Sequence, residues 1–441
     1  DFVLQDDKCD QAWQLRARES WNSFGMRRGH GPRPSSERGV DQAAHVPDGE
    51  EPSHHRVSRR HRNVRTVVRV GGDGGGGSTP PHEHLQRREV VIDGQRIKTV
   101  DVHAHCVVPQ ALAVLGKDAG TGKLLMSDTS ERIAAMDAQG IDVSALSINP
   151  YWYHADRDAA AELIRIQNET LVEICAATPE RFTAFATAAL QHPDLAVEQI
   201  TYAAKELGFR GVGVGGSVEG EDLAHERFNP FWARCEELDL LVFLHPLGTR
   251  ELESSGRLSG SGLLTNTIGN PLETTLALSH LIFEGTLDRY PGLKICAAHG
   301  GGFLPSYANR SDAVCRTFPN RVGPLPKKAP TAYLRDGQLF FDTIVFTPEA
   351  LRHLVAETGP GQIMMGTDYP FPWTSTEVDL VLETPGLEST VGPDRVAVHR
   401  IAGPHHLMPL TLHRAHERRP SRKPTHPRRT GGLLRAPAAP S

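Results

Sequence analysis

Between about Val90 and Glu388 the chain alternates short apolar runs with longer stretches whose apolar positions recur every three to four residues. The short runs predict strands over 98–105, 143–149, 182–189, 209–215, 240–245, 293–299, 339–345 and 362–368. The longer stretches predict helices over 129–139, 157–177, 194–207, 230–238, 272–289, 304–316 and 348–357. Eight strands alternating with helices is the count of a (β/α)8, TIM-like barrel. A doubly wound open sheet alternates in the same way.

Polar residues at the ends of these runs separate the two folds. His103 and His105 close the first strand, and residues two apart on a strand share a face. His245 closes Leu-Leu-Val-Phe-Leu-His, His299 closes Lys-Ile-Cys-Ala-Ala-His, and Asp368 closes Ile-Met-Met-Gly-Thr-Asp. In a closed barrel the ends of strands 1, 5, 6 and 8 surround one axis, whereas an open sheet spreads them apart. Imidazoles that converge with a buried carboxylate call for a shared cation. The expected ligands are His103, His105, His245 and Asp368, with His299 as general acid/base. Nitrogen and oxygen donors favour Zn²⁺, with Mn²⁺, Fe²⁺ or Co²⁺ as alternatives. Three histidines and one carboxylate leave room for water, whose pKa such an ion lowers toward about 7. Cys106 follows His105 and turns to the opposite face, as a packing residue. Tyr151, Trp152, Tyr153, Phe371 and Trp373 fall in strand-end loops, where they line a flat substrate's pocket or pack the barrel mouth.

Composition bounds the rest. Residues 15–88 and those after about 391 are rich in Arg, Pro and His and lack apolar periodicity, so they are expected not to fold. That divides the chain into a disordered extension over 1–89, a barrel over 90–390 and a basic tail over 391–441. A net charge of −5 gives no reason to expect a nucleic-acid partner. No apolar run approaches the ~20 residues of a membrane span. The six scattered cysteines, with no legible secretory signal, fit a cytoplasmic protein.

The ordered segments Asp-Val-His-Ala-His, Ala-Ala-Met-Asp-Ala-Gln-Gly-Ile-Asp-Val, Phe-Leu-His-Pro, Leu-Lys-Ile-Cys-Ala-Ala-His-Gly-Gly-Gly, Phe-Asp-Thr-Ile-Val-Phe and Gly-Thr-Asp-Tyr-Pro-Phe-Pro span about Val100 to Trp373. In this order they resemble the amidohydrolase superfamily, and within it the 2-amino-3-carboxymuconate-6-semialdehyde decarboxylase branch. The resemblance implies the same four metal ligands and the same role for His299. It also implies that Arg310 reaches a neighbouring subunit's pocket in a homodimer, and that Phe371 lines the substrate site. The chain departs from that pattern twice. Between Cys106 and Ser130 it has no arginine to clamp a second carboxylate, only Lys117 and Lys123. Where the family closes with a Gly-Asn-Ala helix, the chain reads Ile-Ala-Gly-Pro-His-His-Leu-Met-Pro, as if out of frame.

The expected function is metal-dependent decarboxylation of a small aromatic or unsaturated carboxylic acid, with His299 and Asp368 as the catalytic pair: His299 relays a proton and Asp368 delivers one to carbon as CO₂ leaves. Hydrolysis of an ester, lactone or amide is the alternative, because the same ion serves both reactions.

Overall fold

The computed structural model describes residues 64–69, 87–92, 94–119, 122–319, 325–373 and 377–387. Eight short parallel strands form the centre: β1 (Val100–His105), β2 (Val143–Ser147), β3 (Phe182–Ala184), β4 (Gly211–Val214), β5 (Leu241–Leu244), β6 (Lys294–Ala297), β7 (Leu339–Asp342) and β8 (Ile363–Met364). Each pairs in parallel with its sequence neighbour within β1–β3 and within β4–β8. A parallel bridge between Ala186 and Val212 joins the two groups. A second bridge between Ala104 and Tyr369, with Val102 N donating to Met365 O at 2.9 Å, returns β8 to β1. The sheet is therefore closed, and the barrel expectation holds over the open sheet.

The expected helices flank these strands. Ser130–Gln139, Arg157–Ala177, Pro193–Lys205, Asn229–Glu237, Leu304–Thr317 and Pro348–Thr358 lie close to their expected limits. Asp156 caps the longest by accepting from Ala159 N at 3.0 Å, and Ala160, Leu163, Ile164, Gln167, Leu171 and Cys175 face inward at helical spacing. The single helix expected over 272–289 is instead two, Asn270–Phe283 and Thr286–Arg289. They part at Gly285, whose φ of 76° ends a helix at no steric cost.

Strands buried on both faces sit between two apolar clusters. The larger one joins the outer strand faces to the helices and includes Cys106. The smaller one fills the barrel with Val100, Val102, Val143, Ala145, Phe185, Leu241, Phe243, Cys296, Ala298, Phe340 and Met364. Below it, Arg87, Arg96 and the backbone of Thr99 all bind Asp142 at the start of β2. Above it, the C-terminal strand ends are left for chemistry.

Strand Val64–Arg69 lies inside the 1–89 segment where no element was expected, and pairs antiparallel with Arg87–Ile92, which straddles the boundary of that segment. The remainder of that extension and the tail over 391–441 lie outside the described residues. The described chain runs to Leu387 and includes a helix at Glu377–Glu383.

Candidate metal centre

Inward-facing positions repeat every second residue along a strand, and the site is largely that pattern carried one step past the core. Leu241 and Phe243 lead to His245; Phe340 leads to Asp342; Met364 leads through Gly366 to Asp368. Two strands break the period. On β1 the ladder shifts register between Asp101 and Ala104, so that Val102 still faces the core while His103 and His105 face the site. After β6, His299 adopts a φ of 56°, which turns its ring back toward the axis. Gly366 is required by crowding in this layer, since a Cβ there would stand 2.9 Å from the Cβ of His103.

The result is a compact cluster. One ligand atom each from His103, His245, His299 and Asp368 lies within 4.8 Å of the others. His105 joins it through Nε2, which is 2.9 Å from His103 Nε2 and 2.9 Å from Asp368 Oδ1. Asp368 Oδ1 is also 3.1 Å from His103 Nε2. Donors bonded at about 2.1 Å to one ion stand roughly 3.0–3.4 Å apart, so this spacing is that of a ligand shell. His103 and Asp342 are fully buried, and His105, His245 and Asp368 nearly so; His299 is half-buried.

Hydrogen bonds fix which ring atoms point inward. Asp342 Oδ2 binds His103 Nδ1 at 2.6 Å, and His245 Nδ1 donates to Pro246 O at 2.8 Å. In both cases Nε2 is left for an ion, the usual arrangement around ligating histidines. Asp342 does more than orient His103. It accepts from His299 N at 3.0 Å, Gly300 N at 2.8 Å and Ile344 N at 3.1 Å, so it also holds the His299 turn. Asp101 accepts from His103 N and from both donors of Thr367, pinning β1 to the turn that carries Asp368. Burial pushes that carboxyl up to about 6. Arg132 donates to the His105 carbonyl at 2.5 Å and lies 4.5 Å over the Tyr369 ring.

The electrostatics are those of a centre built around positive charge. Burial opposes a charged His103, yet the Asp368 and Asp342 carboxylates overrule it and raise the ring to about 10. Burial and the charge on His103 lower His105 and His299, and His245 falls well below its ordinary value. Burial would raise Asp368, but the histidines hold it well below the usual carboxylate range. His299 Nδ1 is buried without a protein partner.

Of the other expected site residues, Phe371 stands beside the cluster, its ring 5.6 Å from that of His105. Arg310 is not gathered with them in the single chain; it stands exposed on Leu304–Thr317. Of the loop aromatics, Trp152 and Tyr153 are core residues, bound to Ala188 O and Gly215 N, and so pack the mouth rather than line it. Asp342, Asp101 and Arg132 carried no expected role.

An amidohydrolase family model matches residues 100–403. The chain belongs to the amidohydrolase family. Within that family it is 29% identical over 275 residues to the 2-amino-3-carboxymuconate-6-semialdehyde decarboxylase of Dictyostelium discoideum, covering 62% of this chain and 75% of that one. It is 31% identical over 291 residues to a gamma-resorcylate decarboxylase of Rhizobium sp., covering 63% and 86%. Among solved structures it matches 2,6-dihydroxybenzoate decarboxylase complexed with 2,6-dihydroxybenzoate, with a TM-score of 0.58, 28% identity and coverage of 66% and 94%. It also matches a dihydroxybenzoic acid decarboxylase from Polaromonas sp. with bound manganese and 2-nitroresorcinol, with a TM-score of 0.58, 26% identity and coverage of 66% and 91%.

Proposed function

We infer that this amidohydrolase-family protein is a metal-dependent decarboxylase, a carboxy-lyase acting on a small aromatic or unsaturated carboxylic acid. The observation that carries this reading is the cluster of His103, His105, His245, His299 and Asp368 at the barrel's C-terminal rim, with His103, His105 and Asp368 at ligand spacing, in a chain similar to several decarboxylases. Hydrolysis would use the same cluster, but the relatives do not favour it.

We assign His103, His105 and His245 through Nε2, and Asp368 through Oδ1, as the residues that hold the ion. The donor set suits Zn²⁺, and Mn²⁺ is the alternative that a solved relative carries. When bound, the ion supplies Lewis-acid polarisation of the substrate's oxygens and a lowered pKa for water. The protein's own residues do the rest. Asp342 keeps the Nδ1 proton on His103 and sets the His299 turn. His299, half-buried and with Nδ1 unpaired, handles the proton. As the carbon–carboxylate bond breaks, CO₂ leaves and the bonding pair stays on carbon, which must take up a proton. Asp368, held ionised by its neighbours, is a poor donor alone and relays a proton passed from His299.

Release of CO₂ from a panel of hydroxybenzoic and unsaturated acids tests this reading, with ester and lactone hydrolysis followed separately. Chelator-stripped protein should be inactive and Zn²⁺ or Mn²⁺ should restore CO₂ release. Hydrolysis alone, or CO₂ release indifferent to metal removal, would overturn it.

We also propose a homodimer in which Arg310 serves the partner's site. Arg310 lies between Tyr307 and Val314, which are 62% and 39% exposed, a surface that a second copy would cover. Leu276 and Phe283 extend it on Asn270–Phe283, a helix tied in by the Phe303 N to Thr275 Oγ1 bond of 2.8 Å. Mixing Arg310→Ala with His299→Ala chains should regenerate activity above either parent, because mixed dimers hold one intact site. No gain on mixing would mean that the arginine is not shared. The cytoplasm fits the five described cysteines, all unpaired, and no described helix is long and apolar enough to cross a membrane.

A further inference from the structure

Two aromatic residues at the mouth of the centre have no part in the chemistry above. Phe346, in the loop after β7, has a φ of 64°, a region that side chains with a Cβ seldom enter. Burial does not compensate for that conformation, because 45% of Phe346 is exposed. Its ring meets that of Trp373 edge-on, with centroids 5.1 Å apart and planes at 67°. Trp373, in the loop after β8, is itself 38% exposed, and its Nε1 donates to Asp368 Oδ2 at 2.8 Å. Strain and exposed aromatic surface together oppose stability, and at the catalytic end of a barrel they mark a contact made with ligand.

We propose that Phe346 and Trp373 form an aromatic clip that selects a planar ligand, and that Trp373 is also a positioning residue for Asp368. The indole holds Oδ2 and so keeps Oδ1 turned toward His103 and His105. The free edges and faces of the two rings offer a flat conjugated molecule the offset contacts that aromatic pairs favour. Phe371, against His105, continues this apolar wall inward. For the identity of the substrate the proposal rests on the decarboxylase reading; for planar-ligand binding it stands apart from that reading.

The test uses full-length Mn²⁺-loaded protein and 2-nitroresorcinol as a planar probe, titrated by calorimetry, with melting temperature, bound Mn²⁺ and steady-state kinetics measured alongside. Phe346→Gly should weaken probe binding about tenfold, the loss of one good aromatic contact. It should leave the melting temperature unchanged or higher, since glycine accepts this φ freely. Trp373→Phe keeps a ring but loses the donor, so kcat should fall about tenfold with KM within about twofold and full Mn²⁺ content. Wild-type probe affinity in Phe346→Gly, or wild-type kcat in Trp373→Phe, would overturn the proposal. So would losses that track a fall in melting temperature or Mn²⁺ content, which would make both residues merely structural. A wild-type protein that binds the probe but releases no CO₂ from any acid would overturn the decarboxylase reading, and the clip would then stand or fall on the binding arm alone.

Discussion

Replacing both His103 and His105 with alanine is expected to abolish metal binding and turnover while the barrel still folds. The two rings contribute two of the ligand atoms packed about 3 Å apart, and their removal leaves only His245 and Asp368 of the assigned ligands, with His299 beside them. The apolar clusters that hold the barrel are separate from them. Asp342, which loses His103 as a partner, keeps three backbone donors from His299, Gly300 and Ile344, so its carboxylate is not left orphaned. Elemental analysis, circular dichroism and activity check this directly. Full metal stoichiometry in the double variant would remove the assignment. The metal-free wild-type protein should show a further signature. His103 is raised to about 10 from 6.5 by its carboxylates, so its contribution to stability is complete below pH 6.5 and is lost as pH rises toward 10. The same proton competes with an ion for Nε2, so metal affinity should weaken as pH falls. In His103→Ala the stability loss between pH 6.5 and 10 should shrink.

His299→Ala is expected to retain its metal and lose turnover by about 10²–10⁴-fold, the range for removal of a general acid/base. The structure leaves this ring half-buried, with one nitrogen unpaired, on a strained turn held through its backbone by Asp342. Truncation removes the ring and leaves that backbone clamp in place. If the effect is on chemistry, kcat and kcat/KM should fall together with little change in metal content. Loss of the ion on the same substitution would instead make His299 a ligand.

Most of the barrel was legible because parallel strands buried on both faces read as continuous apolar runs, and each ended in a residue the core had no use for. The gaps have particular causes. Asp342 is hidden in the sequence because Ile344, Val345 and Phe346 follow it, so the apolar run continues to 345 although β7 ends at Asp342. The same rule that found His245 and Asp368 would have found it had the strand been ended correctly. The pairing of His103 with His105 followed from alternation, but the register shift that lets Val102 and His103 both face inward is a property of the ladder, not of local sequence. Arg132 reads as one more charge on an amphipathic helix, and only the packing of Tyr369 beneath it and the His105 carbonyl beside it gives it a place. Position in the chain leaves Trp152 and Tyr153 open between lining the pocket and packing the barrel mouth; their burial and their hydrogen bonds to Ala188 and Gly215 decide for packing.

The central claim is that five side chains from the C-terminal ends of β1, β5, β6 and β8 make one catalytic metal centre, with four of them on the ion. Anomalous diffraction at the metal edge of Zn²⁺- or Mn²⁺-loaded crystals tests it most directly. The account predicts a single peak in the barrel mouth within about 2.0–2.2 Å of Nε2 of His103, His105 and His245 and of an oxygen of Asp368. His299 should face that peak without bonding to it. A peak elsewhere, or one bonded to His299 in place of His105, would contradict it.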